Sequence, residues 1–121
     1  MEGIVGVGQP SGMWLEQYGK LLVAVFGYHV YQTGSSLTPK GTYRDVDIRV
    51  ILPDEEYAAL GFTSPENEHG NLKWVAMCLA FAELGKRVTG LPIDFQIQQS
   101  SHANANYSQK DGHRRSALGV I

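Results

Sequence analysis

Cysteine is nearly absent from this sequence: Cys78 is the single one among 121 residues. No internal disulfide can form, which fits a reducing compartment. Histidine is sparse as well. His29, His69, His102 and His113 show no tight metal-ligand spacing, which argues against zinc. Positive charge is not in excess. The formal net charge is -2, so no large nucleic-acid surface is expected. The longest apolar run, Trp74 to Ala82, is too short to cross a bilayer as a helix. Met1 to Pro10 hold no basic segment leading into a long apolar run, so no signal peptide is expected. Repeats, coiled-coil heptads and interdomain linkers are also missing. These absences predict a soluble, cytoplasmic protein with no membrane partner, built as one domain over residues 1–121.

What is present reads as a globular balance. Hydrophobic residues make up 43% and charged residues 18%, which excludes a wholly disordered chain. Gly3, Gly6 and Gly8 lack the lysine and the strand-loop-helix setting of a phosphate loop, so residues 1–10 read as a flexible or extended segment. Trp14, Leu15, Tyr18, Leu21, Leu22 and Val25 predict a helix over Met13 to Val25 with one buried stripe. Gly12 and Gly19 count against it, and Gly27 ends it. Tyr28 to Thr33 predicts a strand, followed by a Gly34-Ser35-Ser36 turn and a turn-rich stretch to Gly41. A second strand covers Tyr43 to Leu52 and stops at Pro53.

Asp54 is expected to cap a short helix ended by Gly61, with Glu55 and Glu56 in its first turn. Thr63-Ser64-Pro65-Glu66 resembles a capping box, opening a helix that runs to Leu84, with a break at Gly70 left open and Gly85 as its cap. Ile93 to Gln98 is the third strand. Residues 100–121 form a polar tail, expected as a loop or ordered flap outside the core.

Alternate residues on a strand face opposite sides. In the second strand Val46, Ile48 and Val50 share one face, and Asp45, Asp47 and Arg49 the other. In the third, Ile93, Phe95 and Ile97 oppose Asp94, Gln96 and Gln98. If the strands are neighbours on one core, three carboxylates share a surface. Their mutual repulsion calls for a divalent cation, and hard oxygen ligands suit Mg²⁺ or Mn²⁺. Residues two apart on a strand rise about 6.5 Å. Two such carboxylates can lean together around ions about 3.5–4 Å apart. The competing reading is a solvated polar face. It leaves unexplained why aspartate, a poor strand former, occurs three times on matched faces.

These residues resemble the polymerase-β-like nucleotidyltransferase superfamily. Its motif is a strand, Gly-Ser, about ten residues, Asp-x-Asp on the next strand, and a third acid on a later strand. Here Gly34-Ser35 precedes Asp45-Val46-Asp47, and Asp94 stands in PIDFQIQ. The resemblance spans roughly residues 12–99. It implies an α+β fold, a small mixed β-sheet packed against helices with a nucleotidyltransferase-like core. It also implies transfer of a nucleoside monophosphate from a nucleoside triphosphate such as ATP to a hydroxyl acceptor: a small molecule, a protein side chain or an RNA end. Gly34 and Ser35 would hold the triphosphate. Asp45 and Asp47 would ligate two Mg²⁺ or Mn²⁺ ions. Asp94 would ligate the ion that activates the hydroxyl and help remove its proton.

The sequence departs from the family in three ways. Ser36 and Leu37 follow Gly-Ser where Arg or Ala-Arg is frequent. Arg44 precedes the first acid where Ser is frequent. No helical second domain is present to hold base and acceptor, which leaves room for a homodimer or a partner protein. Lys40, Arg44 or Arg49 can supply the missing phosphate contact, while Arg49 can equally pair with Asp47. A catalytically inactive nucleotide- or partner-binding module on the same fold stays open as an alternative. Cys78, Trp74 and Phe81 read as core residues, His29 as a strand residue, and His113-Arg114-Arg115 as a solvated tail.

Overall fold

Period-two alternation of apolar residues builds the sheet. The structure, a computed structural model, describes residues 10–37, 45–107 and 115–119. Strands β1 (Val30–Thr33), β2 (Val46–Leu52), β3 (Ile93–Gln99) and β4 (Arg115–Leu118) form one mixed sheet in the order β3-β2-β1-β4. β2 and β3 are parallel, and β1 is antiparallel to both β2 and β4. A parallel pair needs a long crossover. Here it contains α2 (Asp54–Ala59) and α3 (Leu72–Thr89). Val46, Ile48, Val50, Ile93, Phe95 and Ile97 are all buried, in one core with Leu15, Tyr18 and Leu22 of α1 (Ser11–Phe26) and Trp74, Cys78 and Ala82 of α3. The fold is α+β, as expected. Among the described residues no helix is long and apolar enough to cross a membrane.

β3 lies at a sheet edge, and α3 covers part of it. The Trp74 indole N–H donates to the Ile97 carbonyl at 2.9 Å, and the Ile97 amide reaches the Cys78 sulfur. These bonds occupy edge groups that would otherwise template another strand. Burial pushes the Cys78 thiol up to about 11, consistent with an inert core cysteine. Trp74 is a core residue, and Phe81, half-buried, packs tilted rings against Phe26 and Phe95 at the core's margin.

Several local expectations are corrected. The α1 stripe is narrower than its sequence spacing suggests: Leu15, Tyr18 and Leu22 are buried, while Trp14, Leu21 and Val25 are exposed. Gly12 and Gly19 are buried on the packed side. A Cβ at Gly19 would lie 2.6 Å from that of Leu118, so the glycine admits β4. Asp54 does not cap its own helix. It accepts hydrogen bonds from the Ser101 amide and hydroxyl, which hold its carboxyl below the usual range. Ser64 makes no capping bond. Pro65–Gly70 is a 3-10 turn, anchored by the Tyr57 hydroxyl donating to Glu68, and Asn71 caps α3 instead.

The tail is not outside the core. Ser100–Asn106 forms α4 with Ala103 fully buried, and β4 adds Leu118 to the core. Its few apolar positions gave no periodic signal, because a short edge strand and a two-turn helix need only one or two. Residues 1–9 and the His113-Arg114 pair lie outside the described residues.

Gly85 is also corrected. The helix passes through it to Thr89 and ends at Gly90, whose φ is 72°. A Cβ at Gly85 would lie 2.7 Å from Tyr18 Cζ and 3.0 Å from Ile93 Cγ1. Tyr18 cannot retreat cheaply, because it is buried and its hydroxyl donates to the Phe81 carbonyl at 2.7 Å. Gly85→Ala is therefore expected to destabilise by about 1–2 kcal/mol, overpacking outweighing the gain in helix propensity. Chemical denaturation measures this, and a stabilised variant would refute the packing account.

Candidate active site

The register of the sheet builds the site. Asp47 pairs with Asp94 across the parallel β2–β3 ladder, and with Thr33 across the antiparallel β1–β2 ladder. Arg115 pairs with Thr33 on the far side. One transverse row thus reads Arg115, Thr33, Asp47, Asp94, with the core on the opposite face. The next row reads Ala117, Tyr31, Arg49, Gln96.

The Gly34–Leu37 turn follows Thr33 directly and so abuts this row. Gly34 has φ +77°, and a Cβ there would collide with the Asp47 carboxylate. Only glycine lets the turn approach the acid this closely while holding that conformation. Ser36 is fully buried. The Gln32 side-chain amide donates to its hydroxyl at 3.0 Å and its carbonyl at 3.3 Å. This position in the turn is a structural clasp. Ser36→Ala is expected to cost about 1 kcal/mol through this lost bond. Thermal melts test it, and an unchanged Tm would show that the clasp contributes nothing.

Electrostatics mark Asp47. Burial lifts its carboxyl above the ordinary carboxylate value, and the charges of Asp94 and Asp45 lift it further against the opposing pull of Arg49. Arg49 lies beside both acids on the same face. Its Nη2 is 3.9 Å from Asp47 Oδ1 and its Nη1 is 3.6 Å from Asp94 Oδ1. Nη1 donates to the main-chain carbonyls of Asp94 at 2.8 Å and Ile48 at 3.1 Å. The ion pair is one of the two roles that the sequence opens to Arg49.

The expected residues are brought together unequally. Asp47 and Asp94 are adjacent. Asp45 precedes β2 and is exposed, although its charge is felt at Asp47. Among the described residues no group of three or more His, Cys, Asp or Glu is gathered so as to hold a metal ion. The donor chemistry still suits a hard divalent cation. It is all oxygen, and two carboxylates are in register on one face. Lys40 and Arg44 lie outside the described residues, as does the Ser35 side chain.

No family model, curated protein or solved structure matches this chain.

Two residues of this row, Thr33 and Arg115, carry no clear signal in the sequence. Thr33 ends β1 directly before Gly34, and that place is its usable signal. Arg115 is not a solvated tail residue: it lies 5.8 Å from the Tyr31 ring centroid and donates to the Tyr107 carbonyl at 2.9 Å and to Asn104 Oδ1 at 3.2 Å, tying α4 to β4. Its membership of the sheet depends on β4, which the sequence pattern did not reveal.

Proposed function

We propose that the chain is a metal-dependent nucleotidyltransferase moving a nucleoside monophosphate from a nucleoside triphosphate to a hydroxyl acceptor. The observation that supports this best is the pairing of Asp47 with Asp94, with the Gly34 turn set against the Asp47 carboxylate. In this reading the backbone at Gly34 approaches the phosphates, with Ser35 beside it. Asp45, Asp47 and Asp94 would hold Mg²⁺ or Mn²⁺, which would supply positive charge to the attacking and leaving oxygens. The acceptor oxygen forms a bond to the α-phosphorus as the bond to the β-phosphate bridging oxygen breaks, and pyrophosphate leaves. Asp94 accepts the hydroxyl proton. Alignment of the two reactants contributes much of the rest.

The test is incubation of the chain with each α-labelled nucleoside triphosphate, Mg²⁺ or Mn²⁺, and acceptors of three kinds: small alcohols, protein hydroxyls and RNA ends. Labelled product with pyrophosphate release is expected, and lost in Asp47→Asn. No turnover with any combination would sink the enzyme reading.

A nucleotide- or partner-binding module is the second reading. It is favoured by Arg49, which already supplies positive charge beside the acids. Calorimetry separates the two: nucleotide binding without turnover supports the module.

A further inference from the structure

The outer side of the helical layer carries an apolar seam that stays exposed. α1 and α3 lie side by side and antiparallel: Tyr18 packs on Gly85, and the later Phe26 on the earlier Phe81. Trp14, Leu21 and Val25 are spaced by seven and four residues, so they share one edge of α1, beside the Tyr18 that faces α3. They are 53, 37 and 59% exposed. Met77, Leu84 and Val88 repeat that spacing on α3 beside Phe81, and each is half-buried. The two edges border one groove about 16 Å long, by the rise between residues 14 and 25. Among the described residues, charge beside the groove has a single sign. Lys20 stands on the exposed side of α1, while Lys73 lies one turn before Met77 and Arg87 one turn after Leu84. Among the same residues Lys20 and Arg87 form no ion pair, and Lys73 donates to the neutral Leu60 carbonyl. The acids of the two helices are turned away. Glu16 accepts from the Gly119 amide just after β4, and Glu83 pairs with Lys86 on the flank toward β3.

An exposed apolar strip rimmed by charge marks a contact surface. A second copy of the chain is disfavoured, because a self-complementary interface would set the rim cations against their own kind. A helix fits better. Its apolar stripe at i, i+3, i+4 and i+7 matches a groove between two helices, and its flanks can carry the acids that this rim requires. We propose that the α1–α3 groove docks an amphipathic helix of a partner protein, with apolar residues against Trp14, Leu21 and Leu84 and acidic residues against Lys20 and Arg87. The groove lies across the sheet from Asp47 and Asp94, so this interaction does not depend on the transfer reaction.

Fluorescence of Trp14 in the intact chain tests this, since Trp74 is buried and Trp14 is not. The probes are two synthetic helices of about 18 residues with the same leucine stripe, one flanked by glutamate and the other by lysine. Vesicles of phosphatidylcholine with phosphatidylglycerol run beside them. The glutamate helix is expected to bind saturably and shift Trp14 emission to shorter wavelength, a shift that Trp14→Phe removes. Lys20→Glu combined with Arg87→Glu, folded by circular dichroism, is expected to weaken that binding by about tenfold or more. Equal binding of both helices overturns the proposal, as does binding of neither. A dimer that forms with rising concentration and that Leu21→Glu dissolves, seen by sedimentation, assigns the groove to a second copy and overturns it. A shift with the vesicles alone assigns the groove to a membrane surface and overturns it too. The wild-type comparison of the two helices decides even if a variant does not fold.

Discussion

Asp47→Asn is expected to abolish nucleotidyl transfer while raising thermal stability. Asn keeps the shape of the side chain but removes a charge that burial and two neighbouring acids disfavour. Arg49 does not depend on that charge for its place, because its hydrogen bonds run to main-chain carbonyls and Asp94 remains beside it. The fold therefore loses an electrostatic cost and keeps its contacts. Turnover is expected to fall by about 10²–10³-fold or more, the range found when a preorganised charge partner of a transition state is removed.

The pH dependence follows the same sign. The folded-state carboxyl of Asp47 is raised, so the native chain binds that proton more tightly than the unfolded chain does. This residue's contribution to stability is greatest below the ordinary aspartate value. It declines as pH rises from there through the raised native value, and the cost is fully present above it. In Asp47→Asn that part of the profile should vanish. Melting curves from mildly acidic to neutral pH, run beside turnover assays, check both halves. A variant that melts below the wild type at neutral pH would show Asp47 to be a structural ion-pair partner of Arg49. That result would remove the stability signature expected of a functional acid.

Gly34→Ala is the second large effect. Alanine at a φ of +77° carries conformational strain of about 1–2 kcal/mol. The added methyl also collides with the Asp47 carboxylate, and displacing it costs about 1–3 kcal/mol more by analogy with overpacking. For a domain of this size the sum corresponds to a fall in Tm on the order of 10 °C. Turnover should be lost as well, since the turn and the acid move together. Gly61→Ala is the matched control. Gly61 has φ +91° but nothing within 4 Å of an added Cβ, so it carries the strain without the collision. The stability difference between the two variants isolates the contact with Asp47. Equal losses would mean that the turn does not press on the carboxylate at all.

The polar face was legible because strand geometry leaves little choice. Once Val46, Ile48 and Val50 must be buried, Asp47 and Arg49 must face the other way, and the same holds for Asp94 opposite Ile93 and Phe95. Gly85 shows where such reading fails. A glycine after an apolar run looks like a helix end, yet the missing methyl serves Tyr18 from another helix. Residues 100–119 fail for a related reason: Ala103 and Leu118 are single apolar positions whose burial depends on surfaces built by distant segments.

The sequence by itself determined the α+β composition of the chain, the inward faces of β2 and β3, and the set of acids opposite them, because side-chain alternation is a local property of the backbone. Tertiary structure alone decided that β3 lies parallel to β2 with Asp94 level with Asp47, and that Arg49 is anchored between them. It also decided that Gly34 touches the Asp47 carboxylate and that β4 brings Arg115 into the acid row. Those facts depend on register and packing between segments far apart in the chain, where a shift of one residue would turn every acid toward the core.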